Sequence, residues 1–249
     1  MAAKKQAASG KPGLLSKAEN AITTLVSGLP FVPGWMKFFF RPTESCKGEK
    51  GTLCSAATSL FVFYSCFSVL FLLVFGAYYL IAQGRAALPG VQSMPPFPTM
   101  AFNILVVETV TNFAGMCLVL SILFAAAKLL GGKGKFAQHC HCLSMAFCGM
   151  MAPVTVFTAA IFLLEGAALV FSQSPAYSSI AQLAAFVVAA PLALAALAFM
   201  LYGIYSFFRA LGAVHAFSGL RTAAAAAIAI AIVAAINLAF EALFGQAIK

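Results

Sequence analysis

The sequence predicts an all-α polytopic membrane protein, a bundle of five transmembrane helices with an N-terminal amphipathic helix at the interface. Three observations carry this reading. Only 8% of the 249 residues are charged and 63% are hydrophobic, whereas a soluble domain carries about 25% charged residues. The charges gather before residue 52 and in short gaps between long apolar runs. Five of those runs reach the roughly 20 apolar residues that a helix needs to cross a bilayer.

The five runs are 53–82, 102–130, 143–171, 180–211 and 222–243. The third and fourth carry Pro153 and Pro191 in mid-run, which membrane helices tolerate better than soluble ones. The chain divides into a disordered basic tail (1–13), a cytoplasmic amphipathic or interfacial segment (14–52) and the five-helix domain (53–249). The tail contains Lys4, Lys5 and Lys11 but no apolar core, so the first spanning helix, rather than a cleavable signal peptide, is expected to direct insertion.

Within the second segment, Leu15, Ala18, Ile22, Leu25, Val26 and Leu29 recur at helical spacing. Ser16 and Glu19 have the spacing of a capping box, and Gly28 and Pro30 form a stop. Too short and polar to span, this helix is expected to lie on the membrane surface. Trp35 and Phe38 to Phe40, beside Lys37 and Arg41, would extend that anchor. A packed helix of a small cytosolic cap is the other reading.

Orientation follows from Lys and Arg. Lys4, Lys5, Lys11, Lys17, Lys37, Arg41, Lys47 and Lys50 precede the first run; Lys128, Lys133, Lys135, Arg209 and Arg221 flank the second and fourth gaps. The opposite side holds Arg85 and Lys249. A cytoplasmic N-terminus is therefore expected, in the ER or Golgi for a eukaryote or the cytoplasmic membrane for a prokaryote. The net charge of +9 is an orientation and headgroup signal, and nucleic acid is not an expected partner.

Cys66, Cys117 and Cys148 fall within apolar runs, and Cys46, Cys54, Cys140 and Cys142 at the cytoplasmic side, where thiols stay reduced. No disulfide framework is expected. In His139-Cys140-His141-Cys142, consecutive residues cannot all turn to one ion. His139 and Cys142, completed by Cys46 or Cys54, form the arrangement open to zinc, and a turn with interfacial histidines and thiols is the favoured reading. Neither a metal nor a cofactor is expected. The glycine- and lysine-rich gap at 128–138 lacks the spacing and strand-to-helix setting of a nucleotide-binding loop. No Ser/His/Asp arrangement stands out, and no enzyme activity is expected.

Small residues in 222–235 suit close helix packing, inside the bundle or against another copy, with plain alanine filler the equal alternative. After Glu49 the only acids are Glu108, Glu165 and Glu241, each within an apolar run. Glu108 with Asn112, and Asn237 with Glu241, are four apart and share a helix face. Intramembrane acids are costly and functional suspects. Converging, the three acids would form a cation or proton site with Arg85 as counter-ion, Asn112 and Asn237 sharing their faces; otherwise Glu165 and Glu241 reach the interface from helix ends.

Leu130 to Phe136 (with Gly131, Gly132 and Lys133), Pro153, and Val214, His215, Ser218 and Arg221, in this order along five apolar runs, resemble the Yip-domain membrane proteins. The resemblance covers roughly residues 35–245. It implies five membrane helices, a cytoplasmic N-terminal region and a non-enzymatic role in trafficking, membrane organisation or complex assembly. Eukaryotic members interact with Rab GTPases, but the Asp-Leu-Tyr-Gly-Pro-type motif of that branch is absent here, which leaves a small GTPase partner without its usual motif. The expected function is binding of a protein partner at the cytoplasmic face, alone or as a homo-oligomer or part of a larger complex. The alternatives are a small transporter or channel using the carboxylates, or an accessory subunit.

Overall fold

A computed structural model describes residues 31–83, 96–172 and 178–244, with the isolated positions 17, 20, 24 and 28 before them. The tail at 1–13, most of the helix expected after it, and Arg85 lie outside the described residues. Lys17, Asn20 and Thr24 are helical and exposed, at the spacing of one polar helix face.

The described residues form helices and no strand. From residue 31 the described segments open with two short helices, α1 (Val32–Phe40) and α2 (Pro42–Gly48). Each has proline in its first turn, where the missing N–H costs nothing. Long helices follow: α3 (Leu53–Gln83), then α4 (Phe97–Phe102), which runs through a π-helical turn (Asn103–Glu108) into α5 (Thr109–Leu129). The last three are α6 (Phe136–Ser172), α7 (Ser178–His215) and α8 (Gly219–Phe244). Among the described residues five spans are long and apolar enough to cross a membrane: Leu53–Ala77, Phe97–Leu129, Phe136–Ala168, Gln182–His215 and Gly219–Ala239. The chain is an all-α, multi-pass integral membrane protein.

The spans agree with the expected ones except at some ends. The third begins at Phe136 rather than 143, so His139 to Cys142 sit in a helix, not a turn. At 37 and 38 residues, α6 and α7 are roughly 55 Å long at 1.5 Å per residue, well beyond the ~30 Å hydrocarbon core. Their surplus length receives α1 and α2. Pro153 and Pro191 lie inside α6 and α7, as anticipated.

α6 packs along α7 and α3, α5 along α8, and α1 against α6. Trp35, Met36, Phe38 and Phe39 of α1 are buried, so these aromatics are core rather than the interfacial anchor expected of them. Backbone chemistry explains the insertion. The α1 end leaves carbonyls without helical partners, and α7 satisfies them. Ser206 Oγ donates to the Phe39 carbonyl at 2.7 Å and Tyr202 Oη to that of Phe40 at 3.3 Å. Gly149 of α6 allows the close approach, since a Cβ there would stand 2.5 Å from the Trp35 carbonyl oxygen.

Packing is uneven along the bundle. Leu60, Leu120, Ala126, Leu143, Ala146, Cys148, Leu211 and Ala225 are buried towards the end where α5 meets α6 and α7 meets α8. That end carries Lys128, Lys133, Lys135 and Arg209 and is the basic end of the bundle. Towards the other end, Leu183, Phe186, Val187 and Leu238 are exposed, as a bilayer solvent permits. Of the α8 alanine run, Ala225 and Ala229 are buried with Thr222, at the spacing of one face, and α8 meets α5.

Candidate functional site

Two helix-to-helix turns meet at the basic end. In the first, Gly131 has φ +82°, its N–H donates to the Lys128 carbonyl at 3.0 Å, and the Gly132 N–H to that of Ala127 at 2.9 Å. This is a Schellman C-cap, which needs a left-handed residue. The second turn repeats it with alanine: Ala216 has φ +55° and the Phe217 N–H donates to the Gly212 carbonyl at 2.9 Å.

The turns are bound to each other. The Lys133 N–H donates to the His215 carbonyl at 3.3 Å. Gly134 lies against Val214, where a Cβ would fall 2.6 Å from the Val214 Cγ1, and Gly132 faces the His215 ring. Beneath them His139 Nδ1 meets His215 Nε2 at 2.9 Å, and His139 Nε2 meets the Leu120 carbonyl at 3.0 Å. A carbonyl only accepts, so His139 Nε2 carries a proton. With both rings neutral, His139 Nδ1 then accepts from His215 Nε2–H, and His215 Nδ1 is left a bare, buried acceptor without a partner among the described residues. Phe124 packs against both imidazoles, at 5.3 and 5.9 Å, and Phe136 against Phe124 at 5.0 Å. The pair joins α5, α6 and α7 in one polar clasp inside an apolar shell.

A second chain fastens the N-terminal helices. Lys37 Nζ meets Glu49 at 2.9 Å, Glu49 meets His141 Nε2 at 3.2 Å, and His141 Nδ1 meets Ser55 Oγ at 2.8 Å. Partial burial would raise the Glu49 pKa, but hydrogen bonds from Lys37 and His141 outweigh it and hold the carboxyl below its ordinary value. Ser55, His141 and Glu49 stand in the order of a hydrolase nucleophile, base and orienting acid. Ser55 is nevertheless a capping residue. It trades bonds with Thr52, Ser55 N–H to Thr52 Oγ1 at 3.1 Å and Thr52 N–H to Ser55 Oγ at 3.3 Å, a capping box with serine as its third residue. Nearby Gln138 donates to the Cys46 carbonyl at 3.0 Å. A hydrogen bond with the Cys142 thiol and burial push the Cys46 thiol far up.

The arrangement left open to zinc, His139 and Cys142 with Cys46 or Cys54, is not assembled among the described residues. His139 pairs with His215 and Cys142 with Cys46, and the described residues contain no group of three metal ligands. Among the turn residues, Gly131, Gly132, Lys133, Phe136 and His215 come together. Ser218 supplies the carbonyl that accepts from Thr222 N–H and Oγ1 at 3.0 Å each, while Arg221 is exposed and Pro153 lies within α6. Glu108, Asn112 and Glu165 are exposed, with no hydrogen bond or ion pair among the described residues; Asn237 is exposed too, and the Glu241 side chain lies outside them. The residues missed in the sequence are the His139 and His215 contact, 76 positions apart, and Glu49 with His141, 92 apart; their only signal was that three histidines stand in a chain of hydrocarbon. The chain matches no family model, no curated protein and no solved structure.

Proposed function

We propose that the chain is a Yip-type integral membrane protein that works by binding, assembling or recruiting a protein partner at its cytoplasmic face in trafficking, membrane organisation or complex assembly. The observation that carries the reading is the junction of the two turns on which the resemblance rests. Leu130–Phe136 and Val214–Arg221 lie far apart in sequence, yet Lys133 bonds His215 and the glycines of one turn pack on the other. A fixed platform framed by exposed Lys133, Lys135 and Arg221 suits recognition of a partner. The basic residues there support a cytoplasmic placement.

The transport reading has less support. Exposed Glu108, Asn112 and Glu165 are placed to meet lipid or a neighbour rather than to share an internal path. The hydroxyl of Ser55, held in a helix cap, favours a non-enzymatic role. Affinity isolation from the native membrane in mild detergent tests the proposal. A partner at near-equal amount, lost on removing residues 1–30 and kept in Glu108→Gln, is the expected result. A protein that purifies alone, with a solute flux abolished by Glu108→Gln, would replace it with transport.

A further inference from the structure

Two cavities of opposite character meet at Phe208 near the basic end. The first, about 540 Å³, opens between α2 and the α7–α8 turn. Lys47 and Arg209 line it with the hydroxyl-bearing Thr43, Tyr205 and Thr222, and no Asp or Glu borders it. Lys47 and Arg209 are exposed and have no carboxylate partner among the described residues. Two unpaired cations beside hydroxyls form a receptor for a phosphate group. The neighbouring cavity beside α1 differs, because Glu44 and Glu49 border it and Glu49 already holds Lys37.

The second cavity is a groove of about 390 Å³ between α5, α7 and α8. Its walls include Val119, Leu123, Leu211, Ala226, Ile230 and Val233. The small α8 alanines leave the hollow that larger residues would fill. It lies along the membrane spans Gln182–His215 and Gly219–Ala239, so what reaches it is hydrocarbon. Phe208 borders both cavities, and Arg209 follows it in sequence. A soluble phosphate compound would leave the groove unused, and a neutral lipid would leave both cations unmatched.

We propose that these two cavities form one site for an anionic glycerophospholipid, its phosphate between Lys47 and Arg209 and an acyl chain in the groove. Tyr205 lines the first cavity, where an amphipathic ring suits the headgroup boundary. The occupant is a single bound lipid, distinct from the diffuse attraction of a basic surface to an acidic leaflet.

The test is native mass spectrometry of the full chain, released from nanodiscs holding equal phosphatidylserine and phosphatidylcholine. Wild type is expected to retain one phosphatidylserine in preference. At roughly a fivefold contribution per surface cation, Lys47→Gln with Arg209→Gln should cut that preference by about 25-fold. Lys47→Arg with Arg209→Lys should keep most of it. Ala226→Phe, which fills the groove, should lower retention with both cations intact. Added glycerol 3-phosphate should not displace the lipid. Thermal unfolding of each variant controls for folding, and should the double glutamine variant unfold, the wild-type preference and the charge-conserving variant decide. Equal retention of both lipids by wild type, or a preference unchanged in the double variant, overturns the proposal. Displacement by glycerol 3-phosphate overturns it in favour of a soluble phosphate site.

Discussion

Ala216 and Gly131 occupy equivalent places in two Schellman caps, and only one of them suits the backbone. A residue with a Cβ in the left-handed region pays about 1 kcal/mol or more over glycine. Ala216→Gly is therefore expected to stabilise the protein by roughly 0.5–1 kcal/mol after the entropy of the freer chain is counted, and Gly131→Ala to destabilise it by about 1 kcal/mol. Thermal unfolding in one detergent checks both, and equal effects of the same sign would contradict the assignment. Glu49 supplies a pH dependence with a defined sign. Its folded carboxyl is held below the ordinary 4.5 by Lys37 and His141, so it binds its proton more readily in the unfolded chain. The stability it contributes is complete above about pH 4.5 and fades as pH falls through the lower folded value. Its side chain is 38% exposed, so solvent screening limits the contribution to less than about 1 kcal/mol. Glu49→Gln should lower the melting temperature slightly at pH 7, and the difference should shrink as the pH falls below 4.5; a loss that grows in acid would contradict the network.

α1 shows how a segment can be legible in composition and misplaced in space. Its tryptophan and three phenylalanines beside Lys37 and Arg41 look the same whether they face lipid or a protein core, since both are apolar. What decided the matter were distant single residues, Gly149, Tyr202 and Ser206, whose partners no local pattern can identify. The spanning helices were readable because length and hydropathy are local properties. The Phe136 start of α6 was not, because the polar His139 and His141 are satisfied by α7 and by the N-terminal region. The π-helical turn at Asn103–Glu108 likewise has no marker in its apolar composition. For α1 the expected outcome is concrete. Gly149→Leu should push α1 off α6 at a cost of about 1–3 kcal/mol and open Lys37 and Arg41 to trypsin, while α3 to α8 stay intact. Unaltered cleavage would show that the close approach at Gly149 does not hold α1.

For the whole molecule the asymmetry between the two ends matters most. The basic end combines a tight core, two linked turns and two docked helices; the opposite halves of α7 and α8 expose their apolar residues as lipid-facing helices do. This division follows from solvents: in hydrocarbon, apolar burial offers little driving force, so polar clasps and small residues do the joining. The histidine pair and the Lys37–Glu49–His141–Ser55 chain are those joins, and both lie at the basic end. The proposed binding surface is therefore the basic end, and the measurement that bears on it most directly is photo-crosslinking in the native membrane. A photoreactive residue replaces Lys133 or Leu220 at the basic end, and Leu183 or Leu238 towards the other, all four being exposed. Adducts to one protein partner from Lys133 and Leu220, and only lipid adducts from Leu183 and Leu238, are the expected result. Protein adducts from Leu183 and Leu238 with none from the basic end would contradict the account.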